Sequence, residues 1–419
     1  MIMTEWKTYR LEEICNLVAG FAFKSKDFGD FPNKVVKIAD IQPPVVNTNE
    51  LAGVDMPNYD TNKLCKYIVS KGDYVLAMTG ATIGKLGRIT NDIEAYINQR
   101  VLTFRPNESI VDKDYLYYQL CSVNFSKYIL NHIDSETAQP NISAGSVGGY
   151  EISLPSLEEQ RRIAGILGAI DDKIENNRRI NDNLEQQAQA LYKQWFVDFD
   201  FPNEEGKPYK SSGGKMADSE LGLIPEGWSV GKLEDVGTIV GGGTPSKAKQ
   251  EYYTSNGIAW ITPKDLSITH AKFTAKGEVD ITDIGYANSS AKMMPRGSIL
   301  FSSRAPIGYI SIAKNDICTN QGFKSVVPNN GYTAFIYYFL QSNTENIELK
   351  ASGSTFKEAS GSLMKSLDLI IPNDALPSRF EEMMTPIFNT QEKLEEENQN
   401  LSTLRDTLLP KLMNGEIKM

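Results

Sequence analysis

PSLEEQRRIAGILGAIDDKIENNRRINDNLEQQAQALYKQWFVDFDFP (155–202) reads as one long helix, and the architecture is organised around it. Ser156 and Glu159 have the spacing of a capping box, Pro155 lies just outside it, and Pro202 is expected to stop the run. Ile163, Ile170, Leu184 and Leu191 share one heptad position, interrupted by Asn177. Leu167, Ile174, Ala188 and Trp195 share the neighbouring stripe, interrupted by Asn181. This alternation of four and three is a coiled-coil seam, and a buried Asn on it fixes register at some cost in stability. About 40 residues at ~1.5 Å each give a rod of roughly 60 Å. The rival reading is a buried core helix, but the repeat of seven favours a seam.

A rod of that length needs a partner, and residues 387–412 offer one. Ile387, Leu394, Leu401 and Leu408 recur at intervals of seven, with Leu404 and Leu412 alongside. Ser378 and Glu381 have the spacing of a second capping box. Pro386 is expected to kink or restart the helix with Thr385 as its cap, and Pro410 to end or bend it near Gly415.

The 419 residues suffice for two or three domains, and 41% hydrophobic content fills ordinary cores. No leader is evident and no apolar run reaches the ~20 residues of a membrane span, so a cytoplasmic, non-membrane protein is expected. Cys15, Cys65, Cys121 and Cys318 show no CxxC pairing, and His132 and His270 lie far apart, so neither a zinc site nor a disulfide framework is expected. The net charge of −10 argues against a general nucleic-acid coat. Residues 156–224 hold 9 Lys+Arg against 13 Asp+Glu, whereas 225–377 hold 14 of each. Any DNA-binding face would therefore have to be a local basic patch on the globular parts.

The chain repeats itself with a period of about 220 residues. WKTYRLEEICNLVAG (6–20) parallels WSVGKLEDVGTIVGG (228–242), and KVVKIADIQ (34–42) parallels GIAWITPKDL (257–266). KGDYVLAMTGATIGKLGRI (71–89) parallels RGSILFSSRAPIGYISI (296–312), and NQRVLTFRP (98–106) parallels NQGFKSVVP (320–328). DYLYYQL (114–120) parallels AFIYYFL (334–340), a short amphipathic helix. Each half reads as mixed α and β, with strands expected at 35–39, 74–78, 96–104, 258–262, 298–302 and 323–327. The stretch 201–227 is polar and rich in Gly, Ser and Pro, and is expected to be an exposed linker. The expected domains are 1–155, the helix 156–200, the linker 201–227, the second domain 228–376 and the final helix 377–419.

No complete catalytic motif appears. GATIGK (80–85) has only three residues between its glycines, and Leu86 stands where a phosphate loop needs Ser or Thr. GGGTPSK (241–247) lacks the Gly-Lys pair, so both read as Gly-rich turns. IQPPV (41–45) has the wrong residues for an amino-methyltransferase motif, and no GxSxG elbow is present.

LPSLEEQRRIAGILGAIDDKIENNRRINDNLEQQAQALYKQWFVDF (154–199), PEGWSVGKLEDVGTIVGGGTP (225–245), IAWITPKDL (258–266), TNQGFKSVVP (319–328) and LRDTLLPKLMNGEI (404–417) resemble the specificity subunits of type I restriction–modification systems, in order and over essentially the whole chain. That resemblance implies an α+β protein: two similar mixed α/β target-recognition domains separated by a long antiparallel two-helix coiled coil, with a pseudo-twofold internal repeat. It implies a non-catalytic subunit that reads a bipartite site in double-stranded DNA. Two adenine methyltransferase subunits and the restriction subunits are then its partners. S-adenosylmethionine, ATP and Mg2+ belong to those partners, with no cofactor in this chain.

Reading DNA requires donors at base edges and cations at phosphates. The candidates on Gly-rich or polar loops of the first half are Lys24, Ser25, Lys26, Thr79, Thr82, Lys85, Arg88, Gln99 and Arg100. Those of the second are Thr244, Ser246, Lys247, Lys264, Arg304, Gln321, Lys324 and Lys357. Asn98, Gln99, Asn320 and Gln321 serve equally well as structural groups bonding the repeat's own backbone. Trp6 and Trp228 read as core rather than stacking residues. Two rivals stand beside this reading. A coiled-coil scaffold that binds only proteins shares the heptads but has no need of two similar loop-bearing domains. A duplicated enzyme needs a site that the sequence does not offer.

Overall fold

The same short device opens both halves of the chain. The strand Lys7–Arg10 runs into a one-turn helix, Leu11–Ile14, and then into the strand Cys15–Ala19. The strand Ser229–Lys232, the turn Leu233–Val236 and the strand Gly237–Gly241 do the same. In each turn an acid holds the entering backbone. Arg10 N–H donates to Glu13 at 2.6 Å and Lys232 N–H to Asp235 at 2.7 Å. Two apolar residues of each turn face inward: Leu11 and Ile14, then Leu233 and Val236, all at most 2% exposed. The computed structural model describes residues 6–133, 140–304, 306–353, 357–372 and 375–417. It divides into two units: the chain through Ile174 with Asn400 onward, and Glu175–Gln399.

In the first unit Lys7–Arg10 pairs antiparallel with Glu151–Leu154. A six-stranded sheet runs in the order 15–19, 101–106, 74–77, 86–88, 45–46, 41–42. A four-stranded sheet runs 53–54, 28–36, 94–97, 68–70. Asp112 caps the helix Lys113–Leu120, its carboxylate accepting from Asp114 and Tyr115 N–H at 3.1 and 3.0 Å. That helix buries Tyr115 to Leu120 in one core with Ile163, Leu167, Leu412 and Met413.

In the second unit a five-stranded sheet runs 237–241, 324–328, 299–303, 307–313, 273–274. The helix Thr333–Lys350 buries Phe335 to Leu340 with Tyr192, Trp195 and Phe196, and with Phe380, Met384 and Phe388. The parallel pair 260–261 with 318–319 repeats the parallel pair 28–36 with 94–97 of the first unit.

The long helices are present, with differences at their ends. The central one spans Leu157–Phe196, and Ser156 Oγ accepts from Glu159 N–H at 3.3 Å. It ends well before Pro202: Val197 and Asp198 N–H both donate to Lys193 O, and Phe199 takes φ +63°. The second spans Ala375–Met413 without a break at Pro386. Ser378 therefore lies inside the helix and does not cap it. Glu381 instead accepts from Ala334 N–H at 2.7 Å, and Thr385 Oγ1 donates to Glu381 O at 2.7 Å.

Of the expected seam on the central helix, Ile163, Leu167, Ile170, Ile174, Asn177, Ala188 and Trp195 are buried, while Asn181, Leu184 and Leu191 are half-buried. On the C-terminal helix Leu404 is 47% exposed and turns away. Its place falls to Arg405, whose Nη1 meets Asp171 at 2.9 Å within the first unit. In the second unit Asn177 Nδ2 donates to Asn398 Oδ1 at 3.0 Å and to Glu397 at 2.7 Å.

Three strand expectations are shifted. The run 96–104 is two strands, 94–97 and 101–106, broken by a turn at Asn98–Arg100. The strand at 35–39 ends at Val36, where Lys37 N–H donates to Asp40 and a short 3-10 turn follows. That at 258–262 is reduced to Trp260–Ile261. The linker is not all exposed either. Phe201 and Ile224 are buried, Phe201 stacks on Trp228 at 5.1 Å, and Met216–Ser219 pairs with Gly222–Pro225 as a hairpin. Trp228 is core as expected, whereas Trp6 is only half-buried. GATIGK is a turn, with Gly80 and Gly84 at φ +71° and +81°. Among the described residues no helix is long and apolar enough to cross a membrane, and no His/Cys/Asp/Glu group could hold a metal.

Candidate nucleic-acid interface

Four backbone segments converge at one end of the main sheet in each unit. In the first unit Phe21 N–H donates to Ile97 O and Gly20 N–H to Val101 O, both at 2.9 Å. Met78 N–H donates to Arg100 O at 2.9 Å, and Ile142 N–H to Met78 O at 3.0 Å. The second unit repeats this net. Gly243 N–H donates to Thr319 O at 2.8 Å, Ser303 N–H to Gly322 O at 2.7 Å, and Ala359 N–H to Ser303 O at 2.9 Å. Segments 20–21, 78–82, 98–101 and 140–142 thus match 242–244, 303–304, 320–323 and 358–359.

The closeness of these segments explains one glycine in each half. A Cβ on Gly20 would stand 2.2 Å from Asn98 O, and one on Gly242 would stand 1.9 Å from Asn320 O. No side chain fits either gap. The Asn-Gln pairs that follow are therefore held as turns, with Val101 N–H donating to Asn98 O at 2.8 Å and Asn320 Oδ1 accepting from Gly322 N–H at 2.8 Å. Asn320 is structural, while Gln99 and Gln321 project outward and are exposed.

The net gathers part of the candidate set. Thr79, Thr82, Gln99 and Arg100 come together in the first unit, with Thr82 Oγ1 donating to Thr79 O at 3.2 Å. Lys85 is exposed on the following turn. In the second unit Thr244 Oγ1 donates to Gln321 Oε1, Arg304 lies on one of the four segments, and Lys324 and Lys357 directly flank two others. Exposed Ser246 and Lys247 continue from Thr244.

Other candidates stand apart. Lys24, Ser25 and Lys26 sit exposed on a separate turn, fixed by Lys24 N–H donating to Tyr59 Oη at 2.9 Å and Tyr59 donating on to Asp27 at 2.5 Å. Arg88 faces the helix Lys113–Leu120, paired with Asp114 and 5.2 Å from the Tyr117 ring centroid. Burial opposes the Arg88 charge, but Asp114 outweighs it and holds the guanidinium above its ordinary range. Lys264 is tied to Glu278 at 2.6 Å.

Two residues of the net were missed in the sequence: Glu358 and Asn141. Each immediately precedes the residue that closes the net, Ala359 or Ile142. Glu358 accepts from Lys324 Nζ at 3.0 Å and from Arg304 Nη1 at 3.4 Å. The signal was positional, since the repeat was aligned only as far as the helices 114–120 and 334–340.

A family model described as type I restriction modification DNA specificity domain matches residues 3–186 and 225–401. The chain belongs to that family. Specificity subunits of this family are non-catalytic, and DNA recognition is their task. Among curated specificity subunits, that of the Haemophilus influenzae type I restriction enzyme HindI is 27% identical, over 99% of this chain and all of the relative. The MjaIX specificity subunit of Methanocaldococcus jannaschii is 40% identical over 38% of this chain and 37% of the relative. A solved structure, the S subunit of a type I restriction–modification system from M. genitalium, shares the fold. It has a TM-score of 0.61 at 15% identity, covering 98% of this chain and 97% of that one.

Proposed function

We propose that this specificity subunit reads a DNA target in two parts, each of its loop nets reading one part. The observation that supports it is the repetition of one four-segment net on two sheets with different exposed side chains. Rigid strands set the backbone, and exposed polar side chains such as Gln99 and Gln321, the latter oriented by Thr244, meet base edges. Lys85, Arg100, Lys247 and Lys357 meet phosphates, and Lys24, Ser25 and Lys26 flank the first net. In this reading the subunit works in the cytoplasm, docks two adenine methyltransferase subunits, and recruits restriction subunits. S-adenosylmethionine, ATP and Mg2+ act in those partners.

The test is a domain exchange. Residues 225–377 are replaced by the matching segment of a relative, and methylated adenines are mapped genome-wide after co-expression with the methyltransferase partner. One half of the methylated motif should change while the other stays. A change in both halves, or in neither, refutes the division of labour. The purified chain with S-adenosylmethionine and DNA should transfer no methyl group until that partner is added.

A further inference from the structure

Glu358 is an anomaly on a surface meant for a polyanion. Its carboxylate stands among cations that would otherwise serve phosphates. It is not a loose surface acid. Its two oxygens are held separately, Oε1 by Lys324 at 3.0 Å and Oε2 by Arg304 at 3.4 Å. Its backbone N–H donates to Ser352 O at 2.9 Å, and the next residue closes the net through Ser303 O. The carboxylate side chain is still 37% exposed, against 18% for Lys324. The outcome is a fixed acceptor with open lone pairs on the proposed reading face.

The first net places Asn141 at the equivalent position, since Ile142 and Ala359 make the same bond to Met78 O and Ser303 O. The two side chains differ in kind. A carboxylate only accepts, while a carboxamide both donates and accepts. In the major groove cytosine offers its N4 amine with no neighbouring acceptor on the same base, which suits a carboxylate. Adenine offers an N6 donor beside an N7 acceptor, which suits Asn and repels a carboxylate at N7.

The geometry points to Glu358 and Asn141 as matched specificity residues: Glu358 selects cytosine at one position of the half-site read by the second net, and Asn141 selects adenine at one position of the other half-site. This rests on the two-part DNA reading proposed above. Lys324 and Arg304 are then positioning residues for the carboxylate. They also cancel its repulsion of the backbone phosphates.

The experiment uses the full chain assembled with its methyltransferase partner. Wild type, E358N, E358Q and N141D are each incubated with a library of randomised duplexes, and the methylated products are sequenced. E358N carries the side chain the first net uses at this place, so it keeps the fold. Both Glu358 variants should lose the preference for cytosine at one position by about 5- to 150-fold, the range for a good base contact. The other half-site should stay as it was. N141D should change one position of that other half-site only. Wild-type methylation without sequence preference would sink the DNA reading itself. A selective wild type whose motif survives in E358N and E358Q would sink only the present inference. So would a Glu358 variant that binds all sequences more tightly with a steeper salt dependence, since that is the behaviour of a simple mask over two cations. A folded E358N complex that methylates nothing would count against it as well.

Discussion

Lys272→Met should weaken the second unit by about 3 kcal/mol, the low end of the cost of breaking a buried ion pair. Lys272 immediately precedes Phe273–Thr274, the last strand of the five-stranded sheet, and is 7% exposed. Its ammonium donates to Glu185 at 2.5 Å, to Tyr338 Oη at 2.8 Å and to Gln391 Oε1 at 2.9 Å, so all three protons are used. The Phe388 ring centroid lies 4.1 Å away. The backbone joins in, with Lys272 and Phe273 N–H donating to Glu395 at 3.1 and 3.2 Å. Methionine fills the space but leaves the half-buried Glu185 charge without its cation. Gln391 Nε2 still reaches Glu185 at 3.2 Å, and the Glu395 contacts are to backbone, which is why the low end applies. K272M/E185L removes both charges and should lie within about 1 kcal/mol of wild type, well short of the summed costs of the two single variants. Trp195, Trp228 and Trp260 lie in this unit and Trp6 in the other, so guanidinium unfolding of the full chain in a W6F background, followed by Trp fluorescence, reads it. A single variant costing under ~1 kcal/mol, or a double variant costing the sum of its singles, would refute the reasoning. The pH dependence supplies a sign. Burial draws the ammonium down from 10.5 to about 8, against the pull of Glu185. Between those values the unfolded chain holds a proton that the folded chain has released, so this site's contribution to stability rises with pH across that window. The wild-type advantage over K272M should therefore grow from pH 8 to 10.5. Glu185, Glu395, Tyr337 and Tyr338 surround this position; burial pushes both phenols upward, and although burial opposes the Glu185 charge, Lys272 holds that carboxyl below its ordinary range in the wild type alone.

Gly242→Ala should cost about 1–3 kcal/mol by forcing a methyl into the Asn320 carbonyl. Gly241→Ala next to it meets nothing within 4 Å and should melt like wild type; equal melting temperatures for the pair would refute the close-approach argument. Lys247→Glu and Lys85→Glu should each flatten the log–log salt dependence of DNA binding by about 0.9 for one lost phosphate contact. Lys264→Glu, already neutralised by Glu278, should change it less, and fluorescence anisotropy across a salt series decides. N177L/N398L should raise the melting temperature by removing a buried polar pair from the seam, while crosslinking reveals more than one register; a lower melting temperature with a single register would contradict this.

The helices were legible because a heptad is an arithmetic signal: Ile163, Leu167, Ile170 and Ile174 lie where the spacing puts them. Leu404 was misplaced for the opposite reason. Apolarity alone assigned it to the seam, whereas the position there belongs to Arg405, whose partner Asp171 is 234 residues away in sequence. The Pro386 break failed because tertiary packing of Phe380, Met384 and Phe388 keeps the helix whole across a residue that propensity alone would end on. At the face proposed to read DNA, the repeat aligns the segments that carry Thr79, Gln99, Thr244 and Gln321, which is why the sequence singled them out. Arg88 and Lys264 were chosen for charge, and charge cannot say that Asp114 or Glu278 stands beside it. Glu358 was invisible to any search for cations.

The polar stripe of the C-terminal helix gives the seam of the second unit its meaning. An all-leucine seam would bury more apolar surface, but any shift by one heptad would bury it almost as well. Here Asn177 meets Asn398 at 3.0 Å, and Gln391 Nε2 reaches Glu185 at 3.2 Å and the Asn181 carbonyl at 3.4 Å. A slip of seven residues breaks both sets together and leaves buried amides without partners, at about 1–3 kcal/mol for each unsatisfied group. The correct register is not perfectly satisfied either, since Asn177 Oδ1 and Asn181 Oδ1 are buried without a partner among the described residues. The seam therefore gives up stability in the right register to make the wrong ones worse. That exchange makes sense only if position along the helices matters more than strength. It does matter here, because Glu185, Gln391 and Glu395 on the same two helices hold Lys272, and through it one edge of the sheet that carries the second loop net. A shift in the helices would be a shift in the face proposed to read DNA.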